Sequence, residues 1–133
     1  MAQFRDFEEI QVWQESRTLV QKIRSICKRQ AVIRDFAFID QITRAARSVS
    51  ANIAEGNDAM TVPDFIKFLG YSKRSCAEVR SHLYDALDEK YLSREEFDHL
   101  SDQCKKICSM IAKLIHHLYS HNKDMKRTFK KSN

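Results

Sequence analysis

The residues in this chain that could do chemistry are its thiols, imidazoles and guanidinium groups, and their spacing points away from catalysis. The thiols are Cys27, Cys76, Cys104 and Cys108. Metal sites favour close cysteine pairs on loops. Only Cys104 and Cys108 are close, one turn apart in a helical stretch. Cys104 falls on a core seam, where a free thiol packs as a small hydrophobe. The imidazoles are His82, His99, His116, His117 and His121. His117 and His121 share a helix face in a spacing that suits a metal, but Asp124 is the only further ligand nearby, and a solvated helix end accounts for them. The chain has no Gly-rich phosphate loop, no nucleophile motif and no paired carboxylates in a plausible pocket. Glu95 and Glu96 are explained by helix capping and the helix dipole. The expectation is a non-enzymatic protein with no catalytic residues, no cofactor and no metal.

The cations are more informative. Arg17, Arg24 and Lys28 follow one another by steps of seven and four, which puts them on one helix flank. Arg44 and Arg47 lie opposite the Ile42/Val49 face of their helix, with Ala51 between them in angle. Lys106 and Lys113 form a further stripe. The formal net charge is +5, and most of it sits in the last residues, where Lys123, Lys126, Arg127, Lys130 and Lys131 face one acid, Asp124. Such stripes suit phosphate backbone held without base reading. They also suit ordinary solvated faces, and acids concentrate at Asp85, Asp88, Glu89, Glu95, Glu96, Asp98 and Asp102. An antiparallel bundle sets that cluster against the basic end of the first helix and answers part of its charge. Two function classes follow. One is a nucleic-acid-associated oligomer, binding RNA or DNA backbone through Arg17, Arg24, Lys28, Arg44, Arg47 and the tail cations. The other is a protein–protein scaffold or adaptor with no nucleic-acid role.

Helices must position these groups. Two glycines and one proline in 133 residues nearly exclude an all-β chain. Apolar residues at helical spacing predict helices over about 7–30 and 35–55, a third from Thr61 to the connection at 91–93, and a fourth from Ser93 whose apolar stripe runs to Leu118. Gly56 is placed to end the second in a left-handed conformation. Thr61-Val-Pro-Asp64 and Ser93-Arg-Glu-Glu96 are start signals for the third and fourth. Short links then predict an all-α, antiparallel up-down-up-down four-helix bundle over 1–122, with a basic C-terminal tail at 123–133. Counting residues from the shared bundle end sets Cys76 and Cys108 at one level, about 21 Å from it. Ile66, Lys73, Tyr84 and Tyr91 fall on one flank of the third helix's core stripe, and tyrosine suits interfaces, so this flank is expected to contribute to a homo-oligomer contact. The first residues lack an apolar signal core and no run is long enough to span a membrane, which makes the cytoplasm the expected location and a membrane partner unexpected.

Several segments resemble one family. They are Phe7-Glu-Glu-Ile-Gln-Val-Trp-Gln14, Gln41-Ile-Thr-Arg-Ala-Ala-Arg-Ser48, Asn52-Ile-Ala-Glu-Gly56, Asp64-Phe-Ile-Lys-Phe-Leu69, Ser75-Cys-Ala-Glu-Val-Arg80 and Tyr91-Leu-Ser-Arg-Glu-Glu-Phe97. Together they look like the 23S rRNA intervening-sequence proteins, also called the bacterial four-helix bundle protein family. The resemblance implies a four-helix protomer in a ring-like homopentamer. It also implies kinship with the accessory protein of diversity-generating retroelements, which works with a reverse transcriptase and its RNA. Two positions depart from the pattern. Ser50 stands where the family often has proline, which implies a straighter second helix, and Ala31-Val-Ile-Arg34 replaces the usual Phe-Pro of the first connection.

Overall fold

The computed structural model describes residues 6–121. It consists of a 3-10 turn at Phe7–Glu9 and four helices: α1 (Gln11–Cys27), α2 (Phe36–Asn57), α3 (Val62–Asp88) and α4 (Arg94–Ser120). Among the described residues there is no strand. The starts of α2, α3 and α4 are each capped by a side chain. Asp35 accepts from the Phe38 N–H, Thr61 from the Asp64 N–H, and Ser93 from the Glu96 N–H, while Glu96 reaches back to the Ser93 N–H. These are the donors a helix leaves unsatisfied at its first turn. The start of α1 differs from the expected Phe7. The backbone is extended at Ile10, whose side chain is driven into the core, so the helix begins one residue later without a side-chain cap. It also stops at Cys27, three residues early. The turn that follows is closed by the bonds Val32 N–H to Arg29 O and Asp35 N–H to Val32 O, and it buries Val32 completely.

Cross-helix contacts fix the antiparallel order. Between α2 and α3, Ser75 Oγ–H donates to Ser48 Oγ (2.9 Å), Ser72 Oγ–H donates to Val49 O (2.7 Å), and Gly56 abuts Phe65. Between α3 and α4, Tyr84 packs on Phe97 and Cys76 reaches Cys104. Between α1 and α4 the pairs are Glu15–Lys106 and Lys22–His99, and Arg29 in the turn after α1 pairs with Glu96. The core these helices share is continuous from Ile10 to Leu118 and includes the stripe residues Leu19, Ile23, Ile42, Val49, Ile53, Phe65, Leu69, Leu83, Ile107 and Ile111. A sequence whose four stripes face inward together has no other way to remove this much apolar surface from water.

Gly56 does not end α2 in a left-handed turn. It is helical and buried, and α2 runs on to Asn57 without a break at Ser50. A Cβ at Gly56 would lie 2.8 Å from Phe65 Cδ1, 3.0 Å from Phe68 Cβ and 3.2 Å from the Phe65 carbonyl oxygen. The residue is small because α2 and α3 come this close here. The left-handed residue is instead Lys90, with φ 62°. It closes α3 in a Schellman motif, with the Lys90 N–H on Leu87 O and the Tyr91 N–H on Ala86 O.

Polar pairs bridge the α1 and α4 side of the bundle at three levels, and Arg29–Glu96 is the bidentate one. Arg29 holds both carboxylate oxygens of Glu96 and donates a further bond to Tyr91 O. This fork, followed by the Ser93 N–H, pulls the Glu96 carboxyl down to about 2. A depressed carboxyl stabilises the fold above its unfolded pKa and loses that contribution as pH falls toward its folded value. The window therefore runs from about 4.3, the ordinary Glu value, down to about 2. Glu96→Gln keeps the cap but removes the charge. It should cost roughly 0.5–1 kcal/mol at pH 7, because the pair is partly solvated. The gap between variant and wild type should close as acid unfolding is followed from pH 4 to about 2. A gap that stays constant with pH would mean that the charge contributes nothing.

Candidate nucleic-acid interface

The α1 and α2 helices lie side by side, with Cys27 near Thr43 at one end of their contact. The step of seven from Arg17 to Arg24 keeps both on the α1 flank that faces α2. Arg47 points toward them from α2. All three line one surface groove, together with Phe7, Glu8, Trp13, Ser50 and Ala51. Ser50 and Ala51 leave the floor shallow, and Phe7 meets Trp13 edge to face at 5.1 Å between ring centres. Arg17, Arg24 and Arg47 are exposed, and none of them is in an ion pair among the described residues. Glu8 is the one carboxylate lining the groove among the described residues. Three guanidinium forks on a shallow track beside aromatic rings can hold phosphates in sequence and offer a stacking surface for a base.

The other cations read from the sequence are placed differently. Arg44 lines the adjoining hollow with Ile39, Asp40, Thr43, Arg47, Ser48 and Ala51. Its guanidinium is bonded to Asp40 at 2.9 Å, so part of its charge is answered one turn away. Lys28 lies just past the end of α1 and does not line the groove. Lys123, Lys126, Arg127, Lys130 and Lys131 lie outside the described residues. The aromatic pair Phe7/Trp13 was missed by sequence reasoning, which placed no aromatic beside the arginines.

Of the four residues read as an oligomer flank, Ile66 is half-buried against the core, Lys73 is exposed, and Tyr84 is 57% exposed with its ring on Phe97. Tyr91 is not on the α3 flank. It lies beyond the Lys90 turn, where its hydroxyl donates to Asp35 Oδ2 at 2.6 Å and its ring meets Phe38. That bond to Asp35 pushes its phenol up to about 12. His117 and His121 face each other with ring centres 4.3 Å apart. Among the described residues no group of three His, Cys, Asp or Glu side chains is arranged to hold a metal. No helix there is long and apolar enough to cross a membrane.

With this geometry in place, comparison with known proteins decides the family. A family model described as 23S rRNA-intervening sequence protein matches residues 8–113. The chain belongs to that family. The match spans α1, α2, α3 and most of α4, including Arg17, Arg24, Arg44 and Arg47, and ends before the basic tail. The fold is also that of a solved structure from Bacteroides thetaiotaomicron, a protein of unknown function from the S23 ribosomal protein family. The TM-score is 0.71 at 22% identity, covering 79% of this chain and 95% of that one. No curated protein matches this chain in sequence.

Proposed function

We propose that this protein is a non-enzymatic, cytoplasmic, homo-oligomeric accessory factor that associates with RNA through its α1/α2 groove. The observation that carries the reading is the convergence of Arg17, Arg24 and Arg47, from two helices, on one track with no ion pair among the described residues to occupy them. The family name refers to 23S rRNA and points the same way. Contacts to phosphate give affinity without sequence, and among the described residues there is no strand to read base edges. A ring of copies, the homopentamer that the resemblance implies, would repeat the groove around its circumference and multiply weak contacts. The Ile66, Lys73 and Tyr84 flank is proposed as part of the contact between copies.

The test combines light scattering with anisotropy titrations of labelled single-stranded RNA of scrambled sequences. The expected result is an assembly several times the protomer mass of 15.6 kDa. Its RNA affinity should fall with salt by roughly 0.7 in log–log slope per phosphate engaged and should not depend on sequence. Removing residues 123–133 should weaken binding and flatten the slope without abolishing it. A binder of neither RNA nor DNA at low salt would transfer the assignment to the scaffold reading. One observation favours that second reading: Ile33 and Phe36 stand exposed together at the α1/α2 turn, and partner proteins bury such residues.

A further inference from the structure

The α3/α4 seam holds a pair of thiols that the groove does not use. Helical side chains lean toward the N-terminal end of their own helix. Cys76 therefore overlies the turn at Ser72 and Lys73, and Cys108 overlies the turn at Cys104. Because α3 and α4 are antiparallel, each thiol reaches across to the turn under the other. Cys76 Sγ–H donates to Cys104 O at 3.3 Å, and Cys108 Sγ lies 4.0 Å from Lys73 O. The Cys76 thiol interacts with the thiols of both Cys104 and Cys108, and of those two only Cys108 is within reach of solvent. Cys76 is fully buried, whereas Cys108 is partly open to solvent. Arg80, one turn along α3, favours the anionic form of both thiols through its charge, and its Nε–H is buried with no acceptor among the described residues. A buried guanidinium N–H left unpaired is costly. An anionic sulfur is the acceptor that this neighbourhood can supply.

The geometry points to Cys76 and Cys108 as a peroxide-oxidisable dithiol, reduced at rest and joined on oxidation by a disulfide that staples α3 to α4. The Cys108 thiolate, open to solvent, attacks a peroxide oxygen. The O–O bond breaks, Cys108 becomes a sulfenic acid, and the departing oxygen takes up a proton as water. The Cys76 thiolate then attacks the sulfenic sulfur. The S–S bond forms and the hydroxyl leaves as a second water. Two thiols and one hydrogen peroxide thus give one disulfide and two waters. Arg80 stabilises the thiolate and the sulfenate that precede the bond. At rest both thiols are held protonated. Cys76 is pushed up to about 12 by its bond to Cys104 and by burial, and Cys108 is raised by Cys76 and by burial. Oxidation is therefore slow near neutrality and faster as pH rises.

The experiment treats the native protein with hydrogen peroxide, alkylates the remaining thiols and maps the unreduced digest by mass spectrometry. The expected product is a Cys76–Cys108 crosslinked peptide, reversed by dithiothreitol, with Cys27 and Cys104 still alkylated. In Cys76→Ser, dimedone should trap Cys108 as sulfenic acid. In Arg80→Gln, crosslinking should slow several-fold while circular dichroism stays unchanged. The proposal is overturned if all four thiols stay free in peroxide that oxidises the unfolded chain. It is equally overturned if the link forms through Cys104 or Cys27, or if Cys108 proceeds to sulfinic acid with Cys76 still free.

Discussion

Phe65→Ala will destabilise the protein by about 3–5 kcal/mol, the usual cost of emptying a fully buried phenylalanine site. Phe65 is completely buried and lies against α2 at Gly56, its ring 2.8 Å from the point where Gly56 would carry a Cβ. The same contact sets the sign at Gly56. In an ordinary helix interior, Gly→Ala gains roughly 1 kcal/mol. At Gly70, where an added methyl meets nothing within 4 Å, Gly70→Ala should therefore stabilise. At Gly56 the methyl must displace a packed ring and press on the Phe65 carbonyl, at a cost of roughly 1–3 kcal/mol that outweighs the helical gain. Gly56→Ala should cost less in a Phe65→Leu background, because the two sites share one contact. Urea unfolding of Phe65→Ala, Phe65→Leu, Gly56→Ala, Gly70→Ala and the Gly56→Ala/Phe65→Leu double variant measures all of this. If the two glycine substitutions shift stability equally, the close approach is not what holds Gly56 small.

Replacing Arg17, Arg24 and Arg47 together with alanine will lower RNA affinity on the order of 10²-fold at about 50 mM salt. Each guanidinium lost removes one phosphate contact, so the log–log salt slope should flatten by about 2. All three side chains are exposed and in no ion pair among the described residues, so unfolding curves should scarcely move. Arg44→Ala should do less than Arg47→Ala, because Arg44 already shares its charge with Asp40. Affinity unchanged in the triple variant would remove the groove from the account.

The helices were legible because their signals are local. A stripe repeats within one helix, and Thr61 and Ser93 cap donors three residues away. The level of Cys76 and Cys108 was legible by counting residues from a shared turn. What was not legible depends on neighbours. Gly56 before a loop reads as a left-handed stop, and only Phe65 and Phe68 from α3 show that it is a close-approach site. Lys90, with no glycine to signal it, makes the left-handed turn instead. Ile10 and Val32 are buried in connections, where no helical period exists to reveal them. For the groove, the helical wheel put Arg17 and Arg24 on one flank and Arg47 away from the core. Which flanks meet across α1 and α2 is a property of packing. The same packing brings Phe7 and Trp13 beside the arginines, while the early end of α1 leaves Lys28 out.

The claim that nucleic acid lies in the α1/α2 groove is tested most directly by ultraviolet crosslinking of the native assembly to single-stranded RNA, with the crosslinked peptides identified by mass spectrometry. The account predicts crosslinks centred on Phe7, Trp13 and the segments around Arg17, Arg24 and Arg47. Crosslinks confined to residues 123–133 or to α3, or none at low salt, would contradict it.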